Sequence, residues 1–204
     1  MRTLIVAAMT SLDGVIQAPG GPEEDTSGGF AHGGWVWPYH DDSDGAMGGV
    51  FKRPFELLLG RRTYDIFASY WPHVAEGAPH RNLADLFNST TKHVATHRTD
   101  TLEWNNSRAL GTDIVAAVRE LKRGDDPDLL TQGSSELVHQ LLATDLVDEL
   151  LLLVFPVLLG RGKRLFDDRA QASAFRLESS RTSPKGVLTN RYVRDGEVRT
   201  GTFE

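Results

Sequence analysis

Two junctions in this sequence carry residues suited to holding phosphate. Gly60-Arg61-Arg62-Thr63 sets a glycine, two cations and a hydroxyl in a row; Gly133-Ser134-Ser135-Glu136 sets a flexible glycine before two small donors. A helix that begins at such a point leaves its first backbone N–H groups free, and they favour an anion. Arginine adds charge-assisted, bidentate contacts. A third place, Thr96-His97-Arg98, offers a hydroxyl and cations at the end of a short strand-like run, chemistry suited to a phosphate monoester. A helix cap with surface arginines explains each of the first two equally well, and a solvated turn explains the third.

Trp35, Trp37 and Tyr39 have the shape to wall a site for a flat heterocycle by stacking; plugging the core or burying a dimer face would use them equally. No metal site is expected. His93 and His97 are four apart on a strand and its end, where that spacing does not bring two ligands together. Gly160-Arg161-Gly162 lacks the third glycine of a dinucleotide fingerprint and leads into no helical pattern.

Strands and helices must deliver these groups to one place. Leu4 to Met9 is a continuous apolar run, as in a strand covered on both faces. Leu57-Leu58-Leu59 reads as a second buried strand ending at Gly60, with a helix from about Thr63 to Tyr70 stopped by Trp71-Pro72. Lys92 to Ala95 is a third strand. Thr112 is placed to cap a helix to about Lys122, in which Ile114, Val115, Val118 and Leu121 keep helical spacing. Asp128 to Thr131 is a fourth strand, followed by a helix with Leu137, Val138, Leu141 and Leu142 on one side. Leu150 to Phe155 is a fifth. Phe175 to Ser183, Pro184-Lys185-Gly186 and Val187 to Arg194 read as strand, turn, strand, and Val198 to Phe203 is expected to continue the antiparallel part. A long polar, glycine-rich stretch runs from Asp13-Gly14 to about Gly49, and its aromatics argue against a solvated tail. The expected fold is one α/β domain over residues 1–204. Ligands of such sheets gather beyond the carboxyl ends of the strands.

Bulk properties narrow the partners. The 204 residues include no cysteine, which removes disulfides and thiolate chemistry and suits a reducing compartment, so a cytoplasmic location is expected. A net charge of -6 repels phosphate backbones, so nucleic acid is not an expected partner. The longest apolar stretch, Leu150 to Leu159, is about half of the roughly 20 residues a membrane span needs, and Pro156 interrupts it. No membrane association is expected.

Several blocks together resemble the dihydrofolate reductase superfamily: the opening Leu4 to Ile16, Leu57 to Tyr64, and Thr131-Gln132-Gly133-Ser134. Leu146 to Leu150 leading to Pro156-Val157-Leu158-Leu159-Gly160-Arg161-Gly162, and Ser183 to Tyr192, are similar to the C-terminal reductase domain of the riboflavin-biosynthesis deaminase-reductase and its free-standing relatives. The resemblance covers nearly the whole chain in order. It implies a three-layer α/β/α sandwich, with a mixed, mostly parallel sheet and a C-terminal antiparallel hairpin. It also implies an NADPH cleft. Gly60, Arg61, Arg62 and Thr63 would lie along the pyrophosphate and adenosine; Thr96, His97 and Arg98 by the 2′-phosphate; Gly133, Ser134, Ser135 and Glu136 over the pyrophosphate. Ala8 would face the nicotinamide, with Val15 and Ile16 on the loop closing over it. In dihydrofolate reductases an acidic residue after the long loop holds the substrate, and hydride transfer also needs a proton that a carboxylic acid can relay. The corresponding run here holds Asp41, Asp42 and Asp44, with Asp41 or Asp44 the candidates; an acidic helix N-terminus explains the same run. The activity implied is NADPH-dependent reduction of a small heterocyclic or carbonyl substrate by a homodimer. The alternative is a non-catalytic nucleotide-binding or dimeric interaction protein that keeps the cleft. The sequence holds no zinc-deaminase signature of His, Glu and paired Cys, so no deaminase half is expected.

Overall fold

The computed structural model describes residues 1–40, 49–98, 100–168 and 170–203. Among these residues one sheet of eight strands forms, in the order β4-β3-β2-β5-β1-β6-β8-β7. Its strands are β1 (Leu4–Ser11), β2 (Phe55–Gly60), β3 (Lys92–Ala95), β4 (Ser107–Ala109), β5 (Asp128–Thr131), β6 (Glu149–Phe155), β7 (Phe175–Thr182) and β8 (Leu188–Arg194). The helices are α1 (Arg61–Tyr70), α2 (Arg81–Ser89), α3 (Ile114–Arg123) and α4 (Ser135–Leu142). Pairing is parallel from β4 across to β6 and antiparallel at β6–β8 and β8–β7. The mixed sheet and closing hairpin are those expected.

β1 is apolar from Leu4 to Met9 because it lies between β5 and β6 with protein on both faces. Alternate residues point to opposite sides. Ile5 and Ala7 join one core with Tyr64 of α1, Phe87 of α2 and Trp35 of the long loop. Leu4, Val6 and Ala8 join the other, with Ile114 and Val118 of α3 and Leu137, Val138 and Leu141 of α4. Helices on both faces make the three layers. At the amino end of the sheet, Arg2 is buried and donates to Glu56 Oε2 at 2.5 Å, which His93 Nε2 also meets at 2.8 Å.

Several elements differ from the sequence expectation. α1 begins at Arg61, directly after β2, and α3 is capped by Asp113, which accepts from the Ala116 N–H at 2.9 Å. α2 and the three-residue β4 are additional elements. Val198 to Phe203 forms no strand and is exposed along its described length. β7 is an edge strand whose residues, apart from Phe175, are all exposed, Leu177 at 51%.

Candidate functional site

The strand connections diverge around β1 and β5: β2, β3 and β4 lie to one side, β6, β8 and β7 to the other. A cleft of about 2360 Å³ opens there, beside the carboxyl ends of β1, β2 and β5. It brings together Ala8, Ile16, Arg62, Thr63, Gly133, Ser134, Ser135 and Glu136 from four separate parts of the chain.

Two helices start at this cleft side by side. Gly60 donates its N–H to the Gly133 carbonyl at 3.2 Å, tying the end of β2 to the turn after β5. A Cβ on Gly60 would stand 2.3 Å from Ser134 Oγ and 3.0 Å from Ser134 N, so only glycine fits that approach. Gly133 has a φ of +132°, where side chains are strained, and a Cβ there would lie 3.0 Å from Thr63 Oγ1. The Gly133–Ser134 peptide is cis. Among the described residues, the N-cap positions of α1 and α4, Gly60 and Ser134, give no side-chain cap, in contrast to Asp113 of α3. Helix starts of this kind favour an anion.

The loop after β1 is clamped from the far side. Ile16 N–H donates to the Lys163 carbonyl at 2.8 Å and Leu165 N–H to the Gly14 carbonyl at 2.9 Å. Asp13 accepts from the Ser11 hydroxyl at 2.7 Å and from the Leu159 and Gly160 amides at 3.1 and 2.9 Å. The Ser11 bond, with those amides, holds its carboxyl well below the ordinary range, at about 2, against a smaller opposing effect of burial. In this extended segment Ile16 lines the cleft, while Val15 is fully buried and paired with Arg164. Of the two residues expected on the loop closing over the nicotinamide, Val15 packs into the core and Ile16 faces the cleft, as neighbours in an extended chain face opposite ways.

The long loop sends a strap, Glu23 to Ser27, across to α1. Asp25 accepts from Lys163 Nζ at 2.5 Å and from the Ser27 hydroxyl at 2.6 Å, and Arg62 Nη1 lies 3.5 Å away while donating to Ser27 Oγ at 2.9 Å. Burial alone would raise the Asp25 carboxyl, but the bonds from Lys163 and Ser27 leave it lowered. Asp25 and Lys163 were not candidates from the sequence, since no local spacing joins them.

Beside the cleft a smaller pocket of about 670 Å³ is lined by Arg61, Arg62 and Arg98, by Asp65, and by the strap. Arg61 donates to Asp65 at 2.7 Å and, with two nitrogens, to Asp100 at 3.0 and 2.6 Å. Its fork thus pairs with two protein carboxylates at the wall of this pocket. Thr96 is buried, with its hydroxyl accepting from the Arg98 N–H at 3.1 Å. His97 is exposed and lines neither cavity.

The aromatic candidates separate. Trp35 is in the core, edge-on to Phe155 at 5.3 Å, with its indole N–H on the Gln17 carbonyl at 2.8 Å. That packing takes it out of the proposed stacking wall. Trp37 and Tyr39 do line the cleft, Trp37 73% exposed and stacked on His40 at 5.9 Å. Phe51, Phe67, Trp71 and Leu83 continue the apolar wall. Asp41 and Asp44 lie outside the described residues.

The fold recurs in known proteins. A crystal structure of a putative riboflavin biosynthesis protein from Shewanella sp. PV-4 superposes with a TM-score of 0.72 at 21% identity, covering 95% of this chain and 99% of that one. Dihydrofolate reductase from Enterococcus faecalis, complexed with NADP(H) and RAB-propyl, superposes with a TM-score of 0.59 at 14% identity, covering 95% and 96%. At these identities the likeness is one of fold. In sequence, the chain is 29% identical over 140 residues to the uncharacterized protein YyaP of Bacillus subtilis (strain 168), covering 69% of this chain and 74% of that protein. The model of the RibD C-terminal domain matches residues 2–189. With a dihydrofolate-reductase-like sheet and a match over nearly its whole length, the chain belongs to the RibD C-terminal domain family.

Proposed function

We propose that the protein is an NADPH-dependent reductase acting on a small heterocyclic or carbonyl compound. The observation that carries this reading is the pair of helix N-termini, α1 and α4, brought side by side through Gly60 and Gly133 at adjacent strand ends. Free backbone donors at helix N-termini favour phosphate oxygens, and the glycine approach lets the two helix starts sit together. The residues present thus fit a dinucleotide pyrophosphate. Membership of the RibD C-terminal domain family supports the same reading.

When bound, NADPH supplies a hydride from its nicotinamide to the electrophilic carbon of a C=N or C=O bond. The chain's own residues do the rest. Thr63, Ser134 and Ser135 hold the phosphates, Arg62 adds charge, and Ala8 and Ile16 form the apolar floor and cover for the nicotinamide. Trp37 and Tyr39 orient a flat substrate. The matching proton comes from Asp41 or Asp44, and it goes to the substrate nitrogen or oxygen.

Titration of the purified protein with NADPH and NADH, by fluorescence or calorimetry, tests the proposal. NADPH is expected to bind more tightly, and Arg98→Ala to weaken NADPH about tenfold while leaving NADH little changed. Equal binding of the two cofactors removes the NADPH assignment, and no binding removes the reductase. Turnover is then sought across carbonyl, pterin and pyrimidine panels.

Self-association is part of the proposal, through the exposed edge of β7, a strand with unpaired backbone groups on its outer side. A sedimentation run giving only monomer at micromolar concentration would overturn it.

A further inference from the structure

The corner that holds Arg98 contains a closed ring of four charges. Arg61 reaches Asp65 at 2.7 Å and Asp100 at 2.6 Å; Arg98 reaches Asp65 at 3.2 Å and Asp100 at 3.1 Å. Each carboxylate thus bridges both guanidiniums, and the ring sums to zero charge. Its members are unequally exposed. The Arg61 side chain is 15% exposed, against 59% for Arg98. Arg61 is the fixed anchor, and Arg98 is the arm that faces the pocket shared with Arg62.

We infer that Asp65 and Asp100 determine how strongly this corner distinguishes a 2′-phosphorylated adenosine ribose from an unphosphorylated one. The inference rests on the cofactor reading above. A phosphate monoester carries nearly two negative charges at neutral pH. Arriving at Arg98, it meets two carboxylates already satisfying that guanidinium, each within hydrogen-bond distance of the nitrogens it needs. Their repulsion and the exchange of partners offset much of the attraction. An unphosphorylated ribose has no such charge and is indifferent to the ring. The two aspartates therefore set a moderate preference for the phosphorylated cofactor; without them it would be steeper. Asp65 and Asp100 act through Arg98 and are positioning residues.

The test uses adenosine 2′,5′-bisphosphate and adenosine 5′-monophosphate as probes on the full chain, with affinities read by calorimetry. The ratio of the two affinities is the measured quantity, because loosening of the pocket moves both probes together. Asp100→Asn and Asp65→Asn are each expected to raise the ratio in favour of the bisphosphate by about three- to tenfold at low salt, with the gain fading at high salt. Asp100→Glu is expected to return the ratio to that of the parent protein. Thermal melts establish that each variant folds, and Asp100→Asn, outside any helix, carries the test if Asp65→Asn does not. A ratio that stays constant or falls in folded variants, while the parent protein still binds NADPH, overturns this inference and leaves the cofactor reading standing. A parent protein that binds neither probe nor NADPH overturns both.

Discussion

Gly60→Ala is expected to destabilise the protein by about 1–3 kcal/mol and to weaken NADPH binding by about tenfold or more. The added methyl would stand 2.3 Å from Ser134 Oγ, and rotation of that hydroxyl gives no full relief, since Ser134 N and Cβ stand at 3.0 and 3.1 Å. The ends of β2 and β5 must separate. That movement breaks the Gly60 to Gly133 hydrogen bond and pulls the starts of α1 and α4 apart, so stability and ligand binding fall together. Gly201→Ala is the control, because nothing lies within 4 Å of the added atom. Chemical denaturation and cofactor titration measure both effects. A Gly60→Ala protein as stable as its parent, with unchanged affinity, would show that the two helix starts are not held by this contact.

Glu56→Ala is expected to cost about 3 kcal/mol, the lower part of the range for breaking a buried ion pair. The Arg2 side chain is 1% exposed and Glu56 19%, so removing the carboxylate strands a guanidinium in the interior. The Pro127 carbonyl, accepting from Arg2 Nε at 2.6 Å, and Asp126 at 3.9 Å soften the loss without replacing a charge in contact. The same carboxyl gives an acid signature. Burial by itself would raise it, but hydrogen bonds from His93 and Arg2 outweigh burial and leave it below its ordinary value of 4.5. The unfolded chain then takes up a proton before the folded one does. Stability from Glu56 is complete above that ordinary value and is lost as pH falls below it. The gap in urea midpoint between the parent and Glu56→Gln should therefore narrow from about pH 6 to about pH 3. A gap that stays constant over that interval would exclude a charge-based role.

The strands were legible wherever burial on both faces wrote an unbroken apolar run, as from Leu4 to Met9 in β1 and from Leu150 to Phe155 in β6. The hairpin was legible from Pro184-Lys185-Gly186 between two strand-like runs. α2 was not read, although Leu83, Ala84, Leu86 and Phe87 keep helical spacing and Ala84 and Phe87 are buried; it is short and follows a proline- and glycine-containing segment. β4 has only three residues, too few for a period to register. Of the site, the glycine-led junctions were visible because phosphate chemistry is written locally. Which partners each arginine takes was not visible. Arg61 and Arg62 are adjacent in sequence, yet one meets Asp65 and Asp100 while the other meets Ser27 and borders the cleft. The Asp25–Lys163 contact joins a loop to a distant turn, and only the folded chain reveals it.

The central position of β1 has a consequence for how the protein is made. Leu4 pairs with Leu129 and Ile5 with Glu149, so β1 leaves the ribosome long before the partners it pairs with. Until then its apolar side chains lack both neighbours, and the sheet cannot close co-translationally from its amino end. Contacts this distant in sequence make for slow folding and for an exposed, sticky nascent segment. A cell making this chain at high level is therefore expected to depend on chaperones that shield β1 until β5 and β6 emerge.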